Sequence, residues 1–326
     1  MKLKLKDHGF IHLRRPSQSI TDIYNFDFER LPSNFLDGVF VASPQLYEAY
    51  CNREGLSDSK LLKLKKSIFK YWLRTCTRAT PFGVFAGSGY VEISTESNFS
   101  FDNSVERLVA RLDMEYLFKI TQYLGDIPTI REQIKFYPNN SIYEYCDSFR
   151  YSKYFDKGTG REYHLFSAPK TIYLERLLKL AQSGLSIKKL RESLSLLTNI
   201  GETESLEYIN QLVENQILVS ELEPCLTNHD PFSFLINTLE RYKGVELLLH
   251  EFKEVNRLIH TATNIVSIHK AVRARLEAIF PGLSEIKDAI QVDLIYENNG
   301  SIAQDDIDKI LKQVERLKCF SRKIDN

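Results

Sequence analysis

The chain has 326 residues, of which 43% are hydrophobic, and its 17 Tyr and 20 Phe supply material for a sizeable core. Lys plus Arg and Asp plus Glu both number 43, so the formal net charge is zero; a bulk basic balance is excluded, and any nucleic-acid contact must come from a local patch. Five cysteines are scattered at positions 51, 76, 146, 225 and 319, without the paired spacing of a zinc cluster, which points to free thiols in a reducing compartment.

The N-terminus, MKLKLKDHGFIHLRRP, lacks the apolar core of a signal peptide. No apolar run approaches the ~18–20 residues of a membrane span. The expectation is a soluble cytoplasmic protein of about two domains.

In chain order, residues 10–16 read as a strand ending at Arg14-Arg15-Pro16, and 38–42 as a second strand. Ser43 then caps a helix with Pro44 at its first position. Ser57 or Asp58 starts a longer, basic helix. Within it, Lys66, Lys70, Arg74 and Arg78 recur every fourth residue and line one side, while Ile68, Trp72 and Cys76 form part of an apolar stripe on another. Like charges at this spacing cost an isolated helix a few tenths of a kcal/mol per pair. Such a row is either a solvated face or a site for an anion. Arginines replace lysines toward its end, and their forked donors suit phosphate and carboxylate. The helix stops at the compact turn Thr80-Pro81-Phe82-Gly83.

Strands are expected at 88–93 and 98–101, and a helix from Asp113 to about Gly125. Residues 141–145, 149–155 and 162–166 read as three strands, with a turn at Lys157-Gly158-Thr159-Gly160. Helices at 171–182, 186–197 and 202–215 and a strand at 217–222 follow. This order describes a winged helix-turn-helix. Helices at 232–242, 244–262 and 266–280, a strand at 290–296 and a helix at 302–317 complete the chain. The expected class is α+β, mixed helices with small antiparallel sheets around an embedded winged-helix module. The expected division is 1–138, 139–223 and 224–326.

No P-loop, dinucleotide fingerprint, metal-binding His pair or nucleophile elbow occurs. What remains is a set of arginines with a hydroxyl and two carboxylates: Arg14, Arg74, Arg78, Thr80, Asp113 and Asp293. Asp113 is either an N-cap or a site residue. Asp293, inside an apolar strand, must face water, pair with a cation or serve a site.

The run Arg74-Thr-Cys-Thr-Arg78-Ala-Thr80-Pro81-Phe82-Gly83-Val-Phe85-Ala86-Gly87 resembles the R-x-x-x-R-x-T-P-F-G-x-F-A-G motif of class I lanthipeptide dehydratases. Arg14-Arg15-Pro16, Arg111-Leu112-Asp113-Met114-Glu115 and Gln291-Val292-Asp293-Leu294 are similar to three shorter elements of that family, in the same order. The resemblance implies an N-terminal domain that moves glutamate from glutamyl-tRNA to Ser or Thr of a precursor peptide. A separate domain then eliminates glutamate to leave dehydroamino acids. The matching site residues are Arg14, Arg74, Arg78, Thr80, Asp113 and Asp293, with Lys66 and Lys70 adding attraction for tRNA phosphates. Neither metal nor redox cofactor is implied; glutamyl-tRNA is the co-substrate.

In the proteins that the chain resembles, a winged-helix module binds the leader of the precursor. An extended peptide added to the sheet edge beside the third helix would meet Arg161, Tyr163, Leu165, Tyr208 and Leu212. DNA binding is the poorer alternative, because that helix is acidic. Family members carrying both activities are much longer. A fragment or one part of a split enzyme is therefore expected, with a separate elimination domain or cyclase as partner, or else a non-catalytic scaffold that binds the precursor.

Overall fold

The computed structural model describes residues 6–99, 105–157, 161–198, 200–261, 264–297 and 300–317. The chain divides into two compact units. One comprises residues 1–110, 263–267 and 291–326, and the other 111–262 and 268–290.

The first unit begins with β1 (Phe10–Pro16) and a 3-10 turn (Ile20–Asn25). Ser19 and Asp22 form a reciprocal capping box at the start of that turn. Then come α1 (Ser33–Ala42), α2 (Pro44–Cys51) and α3 (Asp58–Thr77). The strand expected at 38–42 is the second half of α1. Val39, Phe40 and Val41 favour a strand locally, but Phe35 and Val39, four residues apart, are both buried in the core. Gly38 also sits where a Cβ would lie 2.6 Å from the Phe85 and Val84 side chains. As expected, Ser43 caps α2, its hydroxyl accepting from Leu46 N–H at 3.3 Å.

α3 buries Leu64, Ile68, Trp72, Thr75 and Cys76, packing with Phe28, Phe35, Val39, Tyr50 and Phe85 into one cluster. Trp72 donates its indole N–H to the Asp22 carbonyl at 2.9 Å, satisfying the one polar group it brings inside. Strands β2 (Ala86–Ser94), β3 (Asn98–Phe99) and β4 (Val105–Leu112) follow. The rest of the strand expected at 98–101 lies outside the described residues, and β4 has no counterpart in the sequence reading.

The second unit opens with α4 (Met114–Asp126), α5 (Pro128–Arg131) and β5 (Lys135–Pro138), then β6 (Tyr143–Tyr145), β7 (Ser148–Asp156) and β8 (Arg161–Pro169). Gly158–Gly160 of the expected turn lie outside the described residues. Next come α6 (Ile172–Ala181), β9 (Leu185–Ser186), α7 (Ile187–Thr198), α8 (Glu202–Glu214) and β10 (Leu218–Ser220). β6, β7 and β8 form an antiparallel sheet with β8 at its edge; β10, β5 and β9 form another. Helices α9 (Pro231–Leu239), α10 (Glu246–Thr261) and α11 (Ile265–Ile279) follow.

The chain returns to the first unit through β11 (Ile290–Glu297), β12 (Gly300–Ala303) and α12 (Gln304–Leu317). Its sheet runs β3-β12-β2-β11-β4, with β1 also paired to β2. β1 is antiparallel to β2, but β11 and β12 both join β2 in parallel, so this sheet is mixed where small antiparallel sheets were expected. Parallel neighbours need a crossover, and here the whole second unit lies in it. Gly87 permits the pairing: a Cβ there would stand 2.4 Å from the Leu294 carbonyl oxygen. No described helix is long and apolar enough to cross a membrane.

Candidate functional site

The end of α3, the turn after it and the end of β1 are tied together by hydrogen bonds. Gln18 N–H donates to the Thr75 carbonyl at 3.0 Å, and Ser17 N–H to the Phe85 carbonyl at 3.1 Å. The Ser17 and Thr75 hydroxyls lie 2.6 Å apart, and Thr75 also donates to the Phe85 carbonyl at 3.3 Å. The 80–86 turn closes on itself, with Phe82 N–H donating to the Ala86 carbonyl at 3.2 Å and Phe85 N–H to the Phe82 carbonyl at 3.1 Å. Gly83 takes φ +53°, the left-handed conformation that a glycine adopts freely. Phe85 is buried and anchors the turn, while Phe82 is 42% exposed.

On this frame Arg74 lies half-buried, its guanidinium 4.7 Å from the centre of the Phe82 ring. Its Nε is buried and donates to no described atom. A buried, unsatisfied donor is costly. Ser67, Lys70, Tyr71, Arg74, Thr77 and Arg78 line a shallow depression around it. Lys66, Lys70, Arg78 and Thr80 are exposed. The structure thus brings Lys70, Arg74 and Arg78 to one surface, and Thr80 to the turn directly after them.

Sheet register puts Arg14 and Asp293 on one face. Arg14 pairs with Ser88, and Ser88 pairs with Ile295. Paired residues share a face and alternate residues return to it, so Arg14, Ser88, Ile295 and Asp293 lie on one side of the sheet. Arg14 is exposed; Asp293 is half-buried and accepts from Gln291 Nε2 at 3.4 Å. The adjacent Arg15 points the other way. Its guanidinium lies 3.7 Å over the ring of buried Tyr296, and it ion-pairs with Glu106 at 3.5 Å. Arg15, Ser17 and Thr75 are supporting residues that the sequence reading did not single out; the even–odd alternation of β1 was the available signal for Arg15.

Asp113 belongs to the second unit. It is the N-cap of α4, accepting from Glu115 N–H at 2.8 Å, and its own N–H donates to the Ala289 carbonyl at 2.9 Å. Burial pushes its carboxyl above the ordinary value, opposed by the N–H groups of Glu115 and Tyr116.

A second candidate surface lies in that unit. A surface groove of about 740 Å³ is lined by Tyr154, Arg161, Tyr163, Val213, Gln216 and Glu223, among others. Arg161 is clamped between the rings of Phe118 and Tyr154, 3.4 and 3.7 Å from their centres, and pairs with Glu223 at 2.5 Å. Burial, reinforced by Glu223, pushes the Tyr154 hydroxyl up to about 12. Gln216, at φ +57°, holds β7 in place: Tyr154 N–H donates to Gln216 Oε1, and Gln216 Nε2 donates to the Tyr154 carbonyl, both at 2.9 Å.

Arg161, Tyr163 and Leu165 alternate along one face of the edge strand β8, and Tyr163 and Leu165 are 54% and 62% exposed. The expected partners on α8 do not join them. Leu212 is only 5% exposed, and Tyr208 is half-buried with its hydroxyl bonded to the Thr171 side chain. Both lie on the inward side of an amphipathic helix, and Val213 and Gln216 line the groove instead. Among the described residues no cluster of His, Cys, Asp or Glu is suited to a metal ion.

Residues 33–326 match the family model described as "Lantibiotic dehydratase, N terminus". Among curated proteins, the subtilin biosynthesis protein SpaB of Bacillus subtilis is 26% identical over 80% of this chain and 25% of its own length. The nisin biosynthesis protein NisB of Lactococcus lactis subsp. lactis is 22% identical over 90% of this chain and 29% of its own. The chain therefore spans under a third of these relatives. The tRNA-dependent lantibiotic dehydratase MibB from Microbispora sp. 107891 has a similar fold, with a TM-score of 0.65 and 17% identity over 95% of this chain and 30% of that one. The glutamylation domain TbtB from thiomuracin biosynthesis is similar at a TM-score of 0.54 and 14% identity, over 87% of this chain and 35% of that one. With the family model matched over nearly its whole length, the chain belongs to the lantibiotic dehydratases, as a copy of their N-terminal region.

Proposed function

We propose that this chain takes part in transferring glutamate from glutamyl-tRNA to Ser or Thr hydroxyls of a precursor peptide, as a step toward dehydroamino acids. The observation that carries the reading is the cationic depression at the end of α3. There the half-buried Arg74 lines one surface with the exposed Lys70 and Arg78. An aminoacyl-tRNA brings phosphates that such a site would hold by charge-assisted hydrogen bonds. Arg14, exposed on β1 three residues before the Ser17–Thr75 clasp, is a candidate for a second anionic group.

Glutamylation replaces hydroxide, a poor leaving group, by a carboxylate. The acyl donor is already an activated ester, so positioning and electrostatic stabilisation supply much of the catalysis. Asp293, on the Arg14 face, or else Asp113 is a carboxylate suited to the glutamyl ammonium group. The test is glutamyl transfer by Arg78→Ala, with glutamyl-tRNA, the precursor peptide and whatever further region of the enzyme the reaction needs. Transfer should fall by 10²-fold or more; undiminished transfer overturns the assignment.

The groove beside β8 fits an extended peptide. The edge strand offers main-chain hydrogen bonds, and Tyr163 and Leu165 offer apolar contacts. We assign leader recognition to this surface, within a winged-helix module spanning residues 139–223.

A further inference from the structure

The outward face of β1 and β2 carries a group of rings that the cationic depression does not use. Phe10, His12 and Arg14 alternate outward on β1, opposite Glu92, Tyr90 and Ser88 of β2. Phe10 is 50% and Tyr90 64% exposed. Their rings meet edge to face at 5.1 Å and 87°; His12 lies 5.8 Å from Tyr90, and His8 lies 6.4 Å from Phe10. A single exposed aromatic needs no explanation. Three adjoining rings on β1 and β2, with His8 just before β1, form a platform.

We infer that this platform stacks the unpaired bases at the 3′ end of the aminoacyl-tRNA, with Arg14 holding an adjoining phosphate. The inference rests on the function proposed above and adds to it a binding surface for single-stranded RNA. Sequence-tolerant single-strand sites combine exposed rings with cations that follow the backbone. Successive side chains on this face stand ~7 Å apart along the strand, about twice the 3.4 Å rise of stacked bases. Among the described residues Arg14 makes no ion pair, whereas Arg15 on the opposite face is paired with Glu106. The exposed Arg14 on the same face favours an anionic occupant over an apolar protein surface. Lys6 and Arg14 are the cations that border the rings. Asp7 accepts from Gly9 N–H and Gln304, which keeps it charged, and it stands at the end remote from Arg14. Glu92, opposite Phe10, would repel phosphate and so marks the far end of the platform. The Arg14 end leads to Asp293 on the same face and to the Ser17–Thr75 clasp.

The experiment compares the full chain with the double variant Phe10→Ala/Tyr90→Ala, by fluorescence anisotropy. The probes are a short single-stranded RNA ending in CCA and a blunt RNA duplex of equal length. Both side chains are exposed, and a thermal melt checks that folding is intact. Single-strand affinity should fall about 10-fold or more, duplex affinity should change little, and Phe10→Tyr/Tyr90→Phe should restore single-strand binding. Unchanged single-strand affinity in the alanine variant overturns the platform. So does loss of precursor-peptide binding with RNA binding intact, which would make the face a peptide site. If the platform fails while Arg78→Ala still abolishes glutamyl transfer, only this inference falls. If the unaltered chain, supplemented as the reaction requires, neither binds charged tRNA nor transfers glutamate, the underlying function falls with it.

Discussion

Asp37 shows what a single misplaced charge does to the fold. It sits half-buried on α1, and burial raises its carboxyl from 3.8 to about 6. The folded state therefore holds the proton more tightly than the unfolded chain. The stabilisation from the neutral acid is complete below pH 3.8 and is lost as the pH rises through about 6. At neutral pH the folded chain carries an unfavourable carboxylate. Asp37→Asn should raise stability by about 1 kcal/mol at pH 7.5, a figure discounted for solvent screening, with little effect at pH 4. Urea unfolding at the two pH values measures this, and equal effects at both would contradict it. Arg14 and Arg15 make the complementary point. Identical neighbours have different tasks because the strand turns one outward and the other over Tyr296.

At the scale of elements, α1 shows where local reading gives way. Its β-branched residues suggest a strand, but the Phe35–Val39 spacing and the fit of Gly38 against Phe85 and Val84 require a helix. Gly38→Ala tests this packing. Helix propensity alone favours alanine over glycine, but a Cβ 2.6 Å from two buried side chains overpacks the core. The net result should be a loss of about 1–3 kcal/mol; a gain in melting temperature would show that the neighbours yield freely.

Elements with strong punctuation were legible in the sequence. Ser43-Pro44 marked α2, Asp113 capped α4, and the apolar stripe of α3 stood beside its cations. Strands β4 and β5 were not: β4 is exposed over its first half and lacks a clean apolar alternation, and β5 has only four residues. The parallel joining of β2 to β11 was likewise hidden, being set by a contact between Gly87 and Leu294 that no local pattern announces. In the candidate site, the arginines and Thr80 were named from their motif. The Ser17–Thr75 clasp was not, since two small hydroxyl residues 58 positions apart leave no periodic trace. Tyr208 and Leu212 were misplaced because α8 turns that side inward.

For the whole molecule, zero net charge means that attraction for a polyanion must be local. Arg14, Lys66, Lys70, Arg74 and Arg78 supply five cations within the first unit. If all five neutralise phosphates, the affinity for tRNA should fall with salt at a log–log slope of about −4. Lys66→Ala/Lys70→Ala should reduce that slope by about 1.5 while leaving the melting temperature unchanged. Titrations from 50 to 200 mM salt measure it, and a slope near zero would remove these residues from any phosphate interface.

The clasp between β1 and α3 has a consequence for fidelity of folding. Consecutive arginines make β1 tolerant of a one-residue slip in charge and size, because Arg15 could turn outward as readily as Arg14. Such a slip would reverse every side chain of the strand, burying His12 and expelling Leu13. Ser17 and Gln18, bonded to Thr75 and Phe85, fix where the strand must end. The two hydroxyls thus act as an index mark, choosing one of two chemically similar alignments and with it which arginine reaches the solvent.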